Sequence, residues 1–395
     1  MIKKHDVLIM GGGPGGSQAA AVLAQKGFDV AVIESEEYPR FHIGESLLPA
    51  TMPFFKETGF YDVLDSGKYL RKYGARFIDY RNDDEIYFGF GEGLNRDIPM
   101  AFEVPRADFD RDILAHAVKC GATSYQPEKV IEFDVTESGV RVQTDKHRFE
   151  AEYLMDVTGR DSLIGKRMRI RQTNPDLNNV AVFAHYRGVG RYDGANEGDI
   201  LIGLLPNRAW TWVIPFQGDI TSVGVVASAR FAGAPDLQKY LADNLLQSEK
   251  VRAKMAGAVQ VGNFHSIGNY SHTCERFFGD RWILSGDAAV FLDPIFSSGV
   301  HMSVSSSAFA AETVAAALAD GKRPLTEPGR GAAYEARVRR GAGRFKKLIM
   351  LFYEGDFVEQ MKKTLQRENM RKGFTSAVAG DVWNEDNFLF QKNIL

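Results

Sequence analysis

Apolar and polar positions along this chain switch between two periods, and the switches mark its elements. Residues 6–10, DVLIM, form an unbroken apolar run of the kind found in a strand buried on both faces, ended by glycines. GGGPGGSQAAAVLAQKG (11–27) predicts an alanine-rich helix that opens at the glycines and stops at Gly27, and FDVAVIE (28–34) predicts a second strand. VPRADFDRDILAHAVKCGA (104–122) has helical spacing, with Phe109, Ile113, Leu114 and Ala117 on one face. AEYLMDVTGRDS (151–162) predicts a strand ending at Asp156, with Gly159 beyond it. RWILSGDAAVF (281–291) predicts another that breaks at Gly286-Asp287 into an alanine-rich helix. Between these, 165–275 alternates with period two, and AWTWVIPFQGDITSVGVVA reads as a hairpin turning at Gln217-Gly218-Asp219. From about residue 335 the period is helical again.

The first three elements form a β-α-β unit. It carries G-x-G-x-x-G at Gly11, Gly13 and Gly16, with Pro14 inside the loop and Glu34 at the second strand's end. One glycine permits the tight turn, one lets a pyrophosphate approach the backbone, and one lets helix and strand pack. The helix N-terminus offers free amides, and Glu34 can accept from a ribose hydroxyl. Strand ends rich in Gly and Asp are where doubly wound sheets bind ligands. The order of elements therefore predicts an α/β (α+β) chain: a Rossmann-like dinucleotide domain, an inserted β-sheet-rich domain and a helical C-terminal tail.

Composition narrows the class. A hydrophobic share of 44%, a charged share of 25% and a net charge of -3 over 395 residues describe an ordinary soluble chain with no bias toward nucleic acid. No apolar run long enough to span a membrane is evident. Cys120 and Cys274 are too few for a disulfide framework and lack metal-ligand spacing, so a reducing cytoplasm is the expected setting. His42, His116, His185, His265, His272 and His301 show no metal spacing either and are expected as surface or packing residues, with no metal site.

With these pieces in place, the chain resembles a known family. Gly11–Gly16, Glu34, the Asp156/Gly159 strand end and Gly286-Asp287 resemble the FAD-binding fold of p-hydroxybenzoate hydroxylase-type flavoproteins. Three further stretches resemble flavin-dependent halogenases: WTWVIP (210–215), FLDPIFSSG (291–299), and YLRKYGARF (69–77) with its K-x-G-x-x-F setting around Lys72. PRFHIGESLLPA (39–50) is similar to the group as well, and the resemblance covers about residues 1–345. It implies a discontinuous FAD-binding domain (1–75, 100–165 and 276–335), a substrate-binding sheet domain (76–99 and 166–275) and a helical segment (336–395). Under it, reduced FAD, O2 and chloride or bromide generate hypohalous acid, and the Lys72 ammonium hydrogen-bonds the hypohalite or traps it as a haloamine.

The remaining roles follow from the same resemblance. Besides the glycine loop, Arg40, Gly44, Glu45, Ser46, Arg106, Asp287 and Pro294 are implied as cofactor contacts. The amides of Ser298 and Gly299 are implied as halide ligands, since backbone N–H groups suit anions. Trp210, Trp212, Ile214, Pro215 and Phe296 are implied as a wall between flavin and substrate. On a strand, Trp210, Trp212 and Ile214 share one face. Where tryptophan halogenases carry a glutamate before the loop serine, this chain has Phe296, so the resemblance is to the branch that halogenates phenols or pyrroles, often on a carrier protein. A separate NAD(P)H-flavin reductase is implied as partner, and the basic run Arg337, Arg339, Arg340, Arg344, Lys346, Lys347 is a candidate carrier contact. An FAD-dependent aromatic hydroxylase and a geranylgeranyl reductase-like enzyme are the alternatives on this scaffold.

Overall fold

The computed structural model describes residues 1–206, 208–228, 237–268, 271–354 and 356–395. Its central strand, Ile2–Met10, pairs in parallel with Val30–Ile33 on one side and Arg148–Asp156 on the other. Thr123–Tyr125 extends one flank and Trp282–Leu284 the other, again in parallel. Val7–Met10, Val30–Ile33 and Tyr153–Met155 are buried throughout, which is why their sequences are unbroken apolar runs rather than alternating ones. The register aligns the strand ends: Met10 lies opposite both Ile33 and Asp156, and Asp156 opposite Leu284. Four carboxyl ends thus finish at one level, where the sheet can hold a ligand.

Two helices cover one face of this sheet. Pro14–Gln25 makes the first crossover and packs on the 22-residue Ser298–Ala319 helix through small side chains. A Cβ at Gly15 would stand 2.4 Å from Ser303 Oγ, so a glycine is required at this contact. The alanine-rich helix expected directly after Gly286-Asp287 begins only at Ser298; a 3-10 turn (Gly286–Ala288), a two-residue strand (Val290–Phe291) and a second turn (Pro294–Phe296) intervene. That insertion is the motif loop itself. The Ser298–Ala319 helix is long and apolar enough to cross a membrane by length and composition, but it carries Glu312 and 72% of its apolar window is buried inside the molecule, as in a core helix.

The second sheet has seven strands, in the order Val259–Gly268, Asn179–Arg187, Ile220–Ser228, Ala209–Pro215, Ile200–Leu205, Gly74–Asp79, Asp84–Gly89. The expected hairpin is its Ala209–Pro215/Ile220–Ser228 pair. Not all of 166–275 belongs to it: Arg171–Thr173 and His272–Cys274 form a small sheet with Val290–Phe291. Residues 229–236 and 269–270 of that expected domain lie outside the described residues. A short ribbon joins the two large sheets, Leu70–Lys72 pairing with Ala101–Glu103. The tail is helical over Gly331–Tyr353, Phe357–Thr364, Glu368–Val378 and Phe388–Gln391.

Candidate active site

The aligned strand ends open on a cavity of about 440 Å³. Gly11, Gly13, Pro14 and Glu34 line it from the first unit, Val157–Asp161 from the next strand end, and Asp287, Phe291 and Pro294 from the last. The glycine loop behaves as its pattern requires. Gly11 has φ +101, a Cβ at Gly16 would lie 1.9 Å from Gly11 O, and around Gly13 there is only open space. The Glu34 carboxylate is pinned by the Gly12 (2.7 Å) and Glu36 (2.9 Å) amides. Asp287 is the most telling donor-seeking group: its Oδ1 is buried without a hydrogen-bond partner, and burial pushes its carboxyl up to about 7 against the pull of Arg106 and Arg160. An unsatisfied acceptor facing a polar crevice fits a hydroxyl-bearing dinucleotide such as FAD.

Segment 40–46 crosses this cavity as a strap. Arg40 and Arg106 converge on Asp110, at 3.0 Å and 2.7 Å, and Arg106 Nη1 also donates to Ile43 O at 2.7 Å. Gly44 has φ +100, and its close neighbour is Arg106 Nη1, which a Cβ would meet at 3.0 Å. Glu45 accepts from His185 Nε2 at 2.8 Å. Burial lowers the His185 pKa and the Glu45 carboxylate raises it; the second effect prevails. His185, expected as a packing or surface residue, is thus an anchor for the strap.

Opposite the glycine loop, Trp210, Trp212 and Ile214 line the cavity from one face of their strand. Pro215 falls on the other face because its position is odd in the alternation, and it is absent from the lining. Phe296 does not line the cavity either; it packs among Phe77, Phe352 and Phe357 at ring separations of 5.9–6.4 Å. A hydrogen-bonded cluster clamps the tryptophan strand to the motif loop. Trp210 Nε1 donates to Tyr353 Oη (2.9 Å), Tyr353 donates to Asp293 Oδ2 (3.1 Å), and Asn179 donates to Asp293 at 2.9 Å. In the loop Ser297 and Gly299 line the cavity, while Ser298 is turned inward toward Asp293 O at 3.4 Å.

Lys72 stands just behind the strap. Along its strand Arg71 is exposed and Lys72 only 1% exposed, so alternation separates it from the solvated charges beside it. Lys72 Nζ donates to Ser46 Oγ (2.7 Å) and Leu47 O (2.9 Å), and Glu103 Oε1 is 3.9 Å away. Desolvation lowers its pKa, while Glu103 and Asp199 oppose the shift. Ser46 belongs to the lining of the first cavity. Nζ also lies 5.4 Å from the centroid of the Phe90 ring, and Phe90 lines a second cavity of about 80 Å³ with Pro49, Ile98, Ser376 and Asp381. Glu103, Asp293, Tyr353 and the second cavity went unnoticed in the sequence reading.

The basic run in the tail is largely consumed internally. Arg337 stacks on Phe309, Arg339 pairs with Glu335, Arg340 and Arg344 pair with Glu385, and Lys347 pairs with Asn393.

The fold and cavity define an FAD-binding flavoprotein, and comparison with known proteins sharpens that class. The FAD-binding-domain family model matches residues 4–328. A 1H-pyrrole-2-carbonyl-[peptidyl-carrier protein] chlorinase of Pseudomonas fluorescens is 30% identical, over 96% of this chain and 90% of that protein. The flavin-dependent brominase Bmp2 superposes with TM-score 0.87 at 26% identity, covering 99% of this chain and 98% of that one. The myxobacterial chondrochloren halogenase CndH superposes with TM-score 0.81 at 28% identity, covering 99% and 93%. The chain belongs to the FAD-binding-domain family and, within it, to the flavin-dependent halogenases, which use reduced FAD, O2 and halide to halogenate aromatic rings. When bound and reduced, FAD supplies the electrons that activate O2 for oxidation of the halide.

Proposed function

We propose that Lys72 is the amine that delivers halogen to the substrate, and that the second cavity seats one electron-rich ring, a phenol or a pyrrole. The observation that carries this reading is that Lys72 Nζ touches Ser46 of the cofactor cavity and lies over the ring of Phe90, which lines the second. Desolvation favours the free amine over the ammonium at Lys72, which makes the nitrogen available to accept halogen. That amine takes halogen from hypohalous acid: an N–X bond forms, the O–X bond breaks, and the departing hydroxide leaves with an amine proton as water. In this reading the Trp210/Trp212/Ile214 wall obstructs direct oxygen transfer to the substrate. Backbone amides of Ser298 and Gly299, at the open first turn of their helix, hold the halide. The glycine loop, Glu34, Arg40, Gly44, Arg106, Asp287 and Pro294 hold the cofactor.

A volume of about 80 Å³ suits a single ring. The pyrrole chlorinase relative supports a pyrrole held on a peptidyl carrier protein; in this reading a separate NAD(P)H-dependent reductase delivers the reduced FAD. The test is mass spectrometry of products formed with FAD, a partner reductase, O2 and chloride or bromide, on free phenols and on carrier-bound pyrrole. Halogenated product is expected from at least one of these. Lys72→Ala should abolish it while reduced FAD is still consumed; undiminished halogenation by that variant would remove Lys72 from the mechanism.

A further inference from the structure

Lys72 and Glu103 lie on paired strands, diagonal to each other in the register Lys72↔Ala101 and Leu70↔Glu103. Their charged ends meet at 3.9 Å, with side-chain exposures of 1% and 0%. Neither Glu103 oxygen has a hydrogen-bond partner of good geometry. A buried carboxylate that served only to anchor structure would be saturated with donors; among the described residues this one has only the Ser46 hydroxyl and the Lys72 cation to answer it. Burial pushes Glu103 up to about 8, with Lys72 and Ser46 pulling down and Asp199 and Glu45 pushing up. The other charges around the pair are themselves engaged, Asp199 by Arg76 at 3.4 Å and Glu45 by His185. Burial disfavours the charged form of both partners, so the two compete for one proton.

We infer that Glu103 is the proton partner of Lys72, taking the ammonium proton so that the nitrogen can accept halogen, and returning it to that nitrogen as halogen leaves for the ring. The inference rests on the halogen-delivering role of Lys72. In the first step one N–H bond breaks and one O–H bond forms, converting ammonium–carboxylate to amine–carboxylic acid. The amine then receives halogen from hypohalous acid, losing water. In the last step the ring's electron pair forms C–X as N–X breaks, the Glu103 proton restores the amine, and the proton lost by the ring re-forms the acid. Glu103 is a positioning residue for charge, acting through Lys72.

The experiment compares wild type, Glu103→Gln, Glu103→Asp and Lys72→Ala, each loaded with FAD. Glu103→Gln should halogenate about a hundredfold more slowly or worse, the lower range of general acid–base effects, with FAD affinity retained and part of the rate recovered in Glu103→Asp. The acid limb of its pH profile should move to higher pH, because only nitrogen remains to release the proton. A wild-type rate and pH profile in Glu103→Gln would overturn the inference. If Lys72→Ala were inactive in that case, the Lys72 reading would survive alone; an active Lys72→Ala would remove both. A measurement without turnover keeps the test independent of folding in Glu103→Gln: the 13C titration of the Glu103 carboxyl in wild type and Lys72→Met. The midpoint should rise in Lys72→Met, and an unchanged midpoint would refute the coupling.

Discussion

Replacing Lys72 by methionine should leave the protein about as stable as before, while eliminating halogenation. In the folded chain the ammonium is stripped of water and keeps only Ser46 Oγ, Leu47 O and a carboxylate 3.9 Å away. Exchanging a buried ionic group for an apolar one of similar volume is commonly neutral or stabilising by about 1–4 kcal/mol. Against this stand two lost hydrogen bonds of about 1 kcal/mol each. Removing one member of a buried pair normally destabilises by about 3–5 kcal/mol because a bare charge stays behind. That penalty is avoided here because Glu103 is already pushed up to about 8 by burial, and losing Lys72 raises it further. At pH 6 the carboxyl takes a proton and the site carries no charge.

The net expectation from these opposing contributions lies between a loss of about 2 and a gain of about 2 kcal/mol. At about 1 °C per kcal/mol for a chain of this length, Tm should stay within about 2 °C of wild type. The sign with pH follows from linkage. A carboxyl whose folded pKa is raised withdraws stability progressively as pH climbs from its ordinary value toward the folded one. The stability of Lys72→Met relative to wild type should therefore be greatest near pH 6 and erode above pH 8. Thermal and urea unfolding at pH 6, 7.5 and 9 read this directly. A loss of more than about 3 kcal/mol at pH 6, as expected for an uncompensated buried charge, would refute the view that the site is left without charge.

Two further outcomes are expected. Tyr353→Phe leaves the buried Trp210 N–H and Asp293 short of a partner and should destabilise by about 1–3 kcal/mol in urea unfolding. Asp293, pushed up to about 6 by burial, loses a donor that favours its anion, so the penalty should be larger at pH 8 than at pH 5; a penalty independent of pH would contradict this. Glu45→Gln removes the carboxylate that raises the His185 pKa. That pairing stabilises below the ordinary histidine pKa and its contribution fades as pH rises through the folded value, so the variant should fall short of wild type more at pH 6 than at pH 8.5. Equal deficits at both would show that the contact is not charge-assisted.

Much of the cofactor half was legible because its determinants are local. A turn demanding Gly11 and Gly16, a strand ending at Glu34 and a face shared by Trp210, Trp212 and Ile214 all follow from spacing within one or two elements. Pro215 and Phe296 were assigned to the wall on motif grounds, and strand alternation and an aromatic cluster place both away from the cavity lining. The lysine site was legible only as a single residue. Its surroundings depend on segments 46, 72 and 103 meeting, which requires the Leu70–Lys72/Ala101–Glu103 pairing and the Ser46–Glu103 bridge, contacts that no periodicity within a segment encodes. The same holds for Tyr353, whose hydroxyl reaches Trp210 across 143 residues. Glu45 and Ser46 read as cofactor contacts because they follow a nucleotide motif. Both line the cavity, yet their hydrogen bonds run to His185 and Lys72.

The two cavities are completed at different points of synthesis. Among the described residues, none lining the larger lies beyond Ser303, whereas the smaller takes Ser376, Ala379 and Asp381 from the tail. A nascent chain emerging from the ribosome therefore exposes every described wall of the larger cavity some seventy residues before the smaller can close. Exchange of the last segment between homologues would change the lining of the smaller cavity and leave that of the larger untouched; under the proposed seating of the ring, acceptor choice and oxidant production are then separable in evolution.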